Sequence, residues 1–553
     1  MSGRIDFSLD FSPGSGRRRD PGQPLRILIL SDLSGSTARG ELGDRKPFSI
    51  DIDALDARFA ALNPSAQLSE EIVLSFESLD DLHPDRIFHG AELFRSFREL
   101  RARLSNSATF AEAAAELSAA SGEPNLSGAS GQASPSGASG AAQPAPSPGA
   151  PAQPTNEFER LLRVGGSGTG SPASTSGTPA RVRGSGEPIR VVDDLIARMV
   201  APHVEAAPDA RQAQLIAAVD QAISDTMRAV LGHPAVRHLE EAWLGLSRLV
   251  RGIDGENVVE LFVMDVSIEE LRDATVSDKH DASLSDKHDA SLSDKHDASL
   301  SDKHDATRSD RHDATLSDSA LHRALVAPQQ VPGTTSWSVW VADFAFGASV
   351  EDLRVLDALG SLAAAAGAPL LADAAPALLG IDDFARSEDP STWPGSAGDL
   401  ASAWKSLRAG PTAPWIGLSA PRILLRLPYG RQTDPTESIR FEEMPSPGAP
   451  SYVWGSSALA IAQLAASSFA RQGWGFQAPD GADIEDLPVH IYQEDGEKRA
   501  RPTAEAYLTE RAADSLLRAG IIPILSIRGR DAARVVRVQS IANPPAALRG
   551  PWV

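Results

Sequence analysis

Apolar residues follow two rhythms along this chain. Short runs of continuous or alternating hydrophobics mark strands, and spacings of three and four mark helices. Leu25–Leu30 is an unbroken apolar run and reads as a buried strand that ends in the turn Ser31-Asp32-Leu33-Ser34-Gly35. Phe48–Ile52 alternates as a half-buried strand would, and Asp53 is placed to cap a helix with Leu55, Phe59 and Leu62 on one face. Ile72–Phe76 reads as a further strand and Asp85–Leu104 as a helix. Further on, Asp193–Val200, Ala210–Leu231 and Ala235–Val250 read as helices, the last two separated by His233-Pro234. Strands follow at Val258–Val263 and Trp337–Ala342, a helix at Val350–Ala365 and a strand at Pro369–Ala372. This last trio is a βαβ unit, which implies parallel pairing. The alternation goes on through Arg422–Leu427, helix Ser456–Phe469, Val489–Tyr492, helix Thr503–Ala519 and strand Ile521–Ser526. The expected fold class is α/β, as mixed α/β domains joined by a disordered linker.

The rhythm breaks in two places. Residues 119–188 are dominated by Ser, Gly, Ala and Pro and hold too little apolar surface to offset the entropy of ordering, so they read as a flexible linker. Residues 277–316 repeat an octad, SDKHDASL, with histidines at 280, 288, 296, 304 and 312. Histidine between aspartates invites a metal reading. The spacing argues instead for a hydrophilic loop insertion: eight helical residues overshoot two turns by about 80°, so the histidines walk around the axis and none pair at i, i+4. The segmentation is therefore 1–118, linker 119–188, 189–276, octads 277–316, and 317–553.

Composition narrows the chemistry. The 553 residues include no cysteine, which excludes disulfides, thiolate metal sites and a cysteine nucleophile, and suits a reducing cytoplasm. The net charge of −22 repels nucleic acid and anionic membranes, and Arg17-Arg18-Arg19 is too short a basic run to reverse that. No signal peptide is readable in the opening MSGRIDFSLD, and none is expected. The most apolar stretch, Leu353–Leu371, contains Arg354, Asp357 and two glycines and reads as a buried helix, so no membrane insertion is expected.

No phosphate loop, zinc-protease or nucleophile-elbow motif is present in the sequence. Gly166, Gly168 and Gly170 fall in the linker. Asp80-Asp81 and Asp382-Asp383 read as capping or solvated acids, and His490 as a structural strand histidine flanked by Asp486 and Glu494. Trp337, Trp340, Trp393, Trp404 and Trp415 read as core or interface packing. No catalytic, cofactor or metal site is expected, and the chain reads as a non-enzyme.

Longer motifs carry a resemblance. In the first half these are Leu30-Ser-Asp-Leu-Ser-Gly35, Arg45-Lys-Pro-Phe48 with Ile50-Asp51, and Phe76-Glu-Ser-Leu-Asp-Asp-Leu-His-Pro-Asp85. In the second half they are Leu231-Gly-His-Pro234, Leu239-Glu-Glu-Ala-Trp-Leu-Gly-Leu246, Val341-Ala-Asp-Phe-Ala-Phe346, Ala366-Gly-Ala-Pro369, Pro421-Arg-Ile-Leu-Leu-Arg-Leu-Pro-Tyr-Gly430, Phe441-Glu-Glu443, Tyr452-Val-Trp-Gly455, Phe469-Ala with Gly473-Trp474, and Asp486-Leu-Pro-Val-His490. The first half resembles the small subunit (TssB, VipA) and the second the large subunit (TssC, VipB) of the contractile sheath of bacterial type VI secretion systems. The resemblance covers 1–118 and 189–553 and leaves out the linker and the octads.

The resemblance implies a structural protein that assembles into a helical sheath around an inner tube of Hcp and drives its ejection on contraction. It also implies baseplate contacts and recycling by a ClpV-type AAA+ unfoldase. It assigns Arg4, Ile5, Asp6 and Phe7 to an N-terminal strand exchanged between neighbours, and Asp193, Asp194, Leu195, Ile196 and Met199 to an unfoldase-recruiting helix. The family's large subunit continues past the Gln539-Ser540 region into a terminal exchange strand, whereas this sequence ends at Val553. The alternative that follows is a non-polymerising, sheath-like adaptor that binds sheath or baseplate components. Here the two subunits lie in one chain. A 70-residue linker spans about 45–50 Å on average, at about 5–6 Å × √n, which raises the effective concentration of the halves to the order of millimolar.

Overall fold

The computed structural model describes residues 22–36, 39–120, 211–253, 258–275, 319–331, 334–445, 452–494 and 496–552. The linker, the octads and both predicted interface segments (Arg4–Phe7 and Asp193–Met199) lie outside the described residues.

In chain order, the first half supplies β1 (Leu25–Ser31), β2 (Phe48–Ile50), α1 (Leu55–Leu62), β3 (Ser65–Gln67), β4 (Val73–Ser75), α2 (Pro84–Gly90), α3 (Arg95–Ser105) and α4 (Phe110–Ala120). The second half supplies α5 (Arg211–Gly232), α6 (Pro234–Arg251), β5 (Val259–Asp265), α7 (Ala320–Leu325), β6 (Val339–Phe346), α8 (Val350–Ala366), β7 (Leu370–Ala374), α9 (Gly398–Ala409), β8 (Ile416–Ala420), β9 (Ile423–Arg426), β10 (Val453–Gly455), α10 (Ser457–Gln472), β11 (Asp483–Ile484), β12 (Ile491–Glu494), β13 (Glu497–Ala500), α11 (Glu510–Ala519), β14 (Ile521–Ser526) and β15 (Ala533–Val535).

These elements form two compact units, and the units do not follow the two halves. One takes the described residues of Met1–Pro64, Leu239–Leu427 and Tyr452–Val553, and the other those of Ser65–His238 and Pro428–Ser451. Each unit therefore draws on both halves of the chain.

The first unit is built on a nine-stranded sheet in the order β11-β15-β14-β8-β7-β6-β1-β5-β2. Its central strands are parallel, from β5 through β1, β6, β7 and β8 to β14. Strands covered on both faces should be continuously apolar, and β1, β7 and β8 are buried almost throughout. The βαβ unit expected from the sequence is present as β6-α8-β7. Ser349 and Asp352 form a capping box at the start of α8, and Gly367 ends it at φ 70°, where a side chain would be strained. Leu353, Leu356 and Leu359 of α8, Trp404 and Leu407 of α9 and Leu516 of α11 pack with Leu28, Trp340, Leu370 and Leu418 on one face of the sheet. Helix α10 lies along β6, β7 and β8 on the other. Gly360 of α8 is a close-approach position, since a Cβ there would fall 2.4 Å from Ile416 Cδ1.

In the second unit, β3 and β4 form an antiparallel pair, and α2, α3 and α5 bury Ile87, Phe88, Phe97, Leu104, Leu215, Val219 and Ile223.

Several boundaries differ from the expectation. Ala54, not Asp53, is the N-cap of α1, and it makes no side-chain cap; Asp51 Oδ1 accepts from its backbone N–H at 2.7 Å. The helix expected over Asp85–Leu104 breaks after Gly90 into α2, a 3-10 turn at Glu92–Phe94 and α3. Arg98 reaches back to this break, donating to Phe88 O and Ala91 O. The helix expected from Thr503 starts at Glu510, because Thr509 caps it. Residues Thr503–Glu505 instead bond to Ala532, Ser526 and Arg422. Strand β9 leaves the main sheet to pair with β10. Three strands of the main sheet that the pattern does not single out are β8, β11 and β15.

Candidate functional site: the interlock of the two halves

The first unit closes around a strand that belongs to the other half of the chain. Strand β1 runs between β5 and β6, matching Leu25–Ser31 to Val259–Asp265 on one side and Ile27–Leu30 to Val339–Ala342 on the other. Strand β2 then covers the far side of β5, antiparallel, from Phe48↔Val263 to Ile50↔Leu261. Removing β1 would leave two large-half strands with unpaired inner edges in the middle of the sheet.

Three sets of side chains lock this arrangement. The first is an ionic node where β1 and β5 end together. Asp265 accepts from the backbone N–H groups of Leu33 (2.8 Å) and Ser34 (3.1 Å) and from Ser34 Oγ (2.6 Å). Arg39 Nε donates to Asp265 at 2.9 Å, Nη1 to Glu270 at 3.1 Å, and Nη2 pairs with Asp32. Arg45 donates to Asp265 O at 3.0 Å and pairs with Glu270. The Arg39 side chain is only 6% exposed. Burial works against its charge, but Asp265, Asp32 and Glu270 outweigh burial and raise its pKa. Burial likewise opposes the charge of Glu270, yet bonds from Arg45 and the Ser267 backbone, with the nearby charge of Arg39, hold its pKa below the usual glutamate value. Every charge in the node thus has a partner, and two arginines of the small half serve two acids of the large half.

The second lock is Trp243 on α6. It is fully buried, its ring lies 4.5 Å from that of Phe59, and its indole N–H donates to Leu33 O at 2.8 Å. Apolar contact and a satisfied N–H together make it an anchor. The third is Arg26 at the start of β1. Its guanidinium lies 4.4 Å from the Phe262 ring centre and 4.5 Å from that of Trp337, and pairs with Glu260 at 3.0 Å.

The second unit joins the halves more lightly. Arg101 of α3 pairs with Asp220 of α5 at 2.5 Å, and Gln212 donates to Leu104 O at 2.8 Å. Asp85 accepts from the backbone of Glu437 (2.8 Å) and Ser438 (2.9 Å). His89 bonds Ser438 Oγ at 2.8 Å, and His83 meets Tyr429 edge-on at 4.9 Å.

Several of the residues singled out for their chemistry have partners in the fold. Asp81 completes the capping box at Ser78, and Asp383 accepts from Arg386 N. Trp337, Trp340 and Trp404 lie in the core, while Trp393 and Trp415 are partly buried. His490 Nδ1 bonds Tyr452 OH at 2.6 Å. Among the described residues no group of His, Asp and Glu could hold a metal ion, and no helix is long and apolar enough to cross a membrane. Sequence reasoning missed the roles of Arg26, Arg39, Asp265 and Glu270. Arg45 and Trp243 were visible only as members of motifs.

Comparison with known proteins agrees with this division. The VipB family (EvpB/VC_A0108, tail sheath N-terminal domain) matches residues 213–290 and 300–542. The VipA family (Type VI secretion system, VipA, VC_A0107 or Hcp2) matches residues 3–120. Type VI secretion system sheath protein TssC1 of Pseudomonas aeruginosa is 27% identical over 343 residues, covering 60% of this chain and 61% of that protein. Sheath protein TssB1 of the same organism is 29% identical over 99 residues, covering 16% of this chain and 58% of that protein. The chain thus spans about three fifths of the length of each relative. With β1 and β2 from the VipA-matching region inside a sheet otherwise made by the VipB-matching region, the chain belongs to the type VI secretion sheath proteins and joins their two subunit types in one polypeptide.

Proposed function

We propose that this protein is a structural subunit of a contractile type VI secretion sheath, acting in the cytoplasm without catalysis. It would assemble with copies of itself around an inner tube of Hcp and drive the tube outward on contraction. The observation that carries this reading is the shared sheet: strands of both subunit types are hydrogen-bonded into one sheet, as a force-bearing building block requires. Fusion fixes their ratio at one to one.

In this reading the segment with Arg4, Ile5, Asp6 and Phe7 adds a strand to a neighbouring subunit. The hairpin β12–β13 supports such an exchange, because it is only two-stranded and largely exposed, with Ile491 at 58%. The segment with Asp193, Asp194, Leu195, Ile196 and Met199 recruits a ClpV-type unfoldase after contraction, and baseplate components seed assembly.

The test is ultracentrifugation of a lysate expressing the chain alone, with electron microscopy of the pellet. Tubular particles with cogwheel ends are expected. Small soluble species that bind sheath or baseplate proteins without polymerising would overturn the reading in favour of an adaptor.

A further inference from the structure

Between β9 and β10 the large half makes an excursion into the second unit. The chain leaves β9 at Arg426, contributes the described residues of Pro428–Ser451 to that unit, and returns to β10 at Val453. The neck of the excursion closes where Tyr429 and Glu443 meet. The Glu443 N–H donates to Tyr429 O and the Tyr429 N–H donates to Glu443 Oε2, both at 2.9 Å. The Glu443 side chain is buried. Gly430 belongs to the same neck, since a Cβ there would fall 2.4 Å from Glu442 Oε2. A surface segment whose two ends are joined in this way is an Ω-loop. Within it, the Gly430 N–H donates to Asp434 O at 2.8 Å and Thr436 Oγ1 to Ile439 O at 2.7 Å, while Ile439 and Phe441 are buried.

Two sets of groups hold loop 429–443. Helix α5, of the same half, holds the returning limb: Ser224 Oγ donates to Arg440 O at 3.0 Å and Arg228 Nη1 to Glu442 O at 2.9 Å. The small half holds the far end. The two oxygens of Asp85 each accept one backbone N–H, from Glu437 at 2.8 Å and from Ser438 at 2.9 Å. One turn further along α2, His89 Nε2 bonds Ser438 Oγ at 2.8 Å. His83, the N-cap of α2, stands edge-on to Tyr429 at the neck, with ring centres 4.9 Å apart. The end of the small-half motif Phe76–Asp85 thus meets Tyr429, which belongs to a large-half motif. The Asp85 side chain is only 16% exposed, so its two bonds are charge-assisted and partly shielded from water.

We propose that loop 429–443 is a latch of the large half and that Asp85 of the small half is its keeper, so that the loop closes on a docked α2 and opens by itself, ahead of the first unit. Without α2, Glu437 and Ser438 lose the acceptors of two adjacent N–H groups, and the α5 bonds secure only the returning limb. A segment fastened by a few bonds near the surface is the kind that opens without global unfolding. The keeper reads the loop through its backbone: Glu437 is exposed and enters the contact by its N–H. Every residue of the latch lies in the second unit, so its opening does not require the β1 interlock to break. All its contacts are within one chain, so it does not depend on sheath assembly.

The test is hydrogen exchange with mass spectrometry on the full chain, following peptides that cover 429–443, 25–31 and 370–374, for the wild type, Asp85→Ala and Glu437→Ala. In the wild type the loop should exchange faster than β1 and β7 and more slowly than an unstructured peptide of its own sequence. Asp85→Ala should speed exchange of 429–443 by about tenfold or more, the size expected for losing a hydrogen bond to a charged group. Residues 25–31 and 370–374 should keep their wild-type rates. Glu437→Ala keeps the N–H and should leave the loop at the wild-type rate. An unmoved loop in Asp85→Ala, or an equal acceleration at 25–31, would overturn the proposal, and so would a Glu437→Ala loop that opens as far as the Asp85→Ala one. Should Asp85→Ala fail to fold, Asp85→Asn carries the same test. It keeps one acceptor oxygen without the charge, so a smaller rise confined to 429–443 is expected, and no rise would count against the latch.

Discussion

Both units join the small half to the large half, but by different means. In the first, β1 is hydrogen-bonded on both sides, Trp243 is fully buried, and Arg39 is almost sealed from water among three acids. In the second, the joint includes the Arg101–Asp220 pair, whose arginine side chain is 42% exposed, and bonds from Asp85 to backbone N–H groups. The lesson concerns where free energy resides. A buried, fully partnered network cannot lose a member without stranding the rest. An exposed pair is screened, costs side-chain entropy, and contributes little.

The sharpest way to break this comparison is at Trp243. Trp243→Ala removes an indole that fills the space beside Phe59 and strands Leu33 O, and should cost about 3–5 kcal/mol. A urea midpoint within error of the wild type would show that the indole is not an anchor. Next comes Arg39→Ala, which leaves Asp265, Asp32 and Glu270 crowded with one arginine fewer. Loss of one member of a buried charge network costs about 3–5 kcal/mol, and Arg45 should soften this toward the lower end. The same denaturation curve checks it, with Asp265→Asn in the Arg39→Ala background expected to recover part of the loss. The smallest effect belongs to Arg101→Ala, at about 0–1 kcal/mol. A loss as large as that at Arg39 would erase the distinction between the two joints.

The pH dependence sharpens the comparison further, because the two acid sets of the interlock run in opposite directions. Glu270 is held below its ordinary value of 4.5 by Arg45, Ser267 and Arg39 against the cost of burial. Its contribution is full above that ordinary value and is lost as the pH falls through its folded-state value. Burial instead raises Asp343, which accepts from Ser31 Oγ at 2.9 Å, to about 7 and Asp373 to about 6. Their contribution is lost as the pH rises from 3.8 toward neutrality, and the first unit should be most stable in mildly acidic solution. Chemical denaturation from pH 3 to 9 checks this, and Glu270→Gln should flatten the acid side alone.

How much of this was readable in the sequence depends on range. The run Leu25–Leu30 signals its own burial, because a strand enclosed on both faces must be apolar throughout. The unit β6-α8-β7 is readable because its parts are neighbours in sequence and its helix carries the Ser349–Asp352 capping box. That β1 lies between β5 and β6 is not readable from pattern, since Ile29 meets Val263 and Val341 more than two hundred residues away. Nor are the partners of Arg39 and Asp343, which are set by that neighbourhood and by a bulge in β6 after Ala342. Strand β8 escapes notice because Gly417 and Ser419 dilute its apolar pattern. Gly417 is needed there, as a Cβ would lie 2.9 Å from Leu548 and 3.1 Å from Leu371. The helix break at Gly90 is hidden by the spacing of Ile87, Leu93, Phe94, Phe97 and Leu104, which stays helical across it while all five remain buried.

The central claim is that one sheet is built from both halves of the chain, with β1 in its interior. Amide hydrogen exchange on the intact protein tests it most directly. The amides of Leu28–Ser31 should exchange as slowly as those of Leu370–Ala374 in β7, and only with the global unfolding of the first unit. Exchange of the β1 amides at the rate of an unpaired segment, while β6 and β7 stay protected, would contradict the interlock.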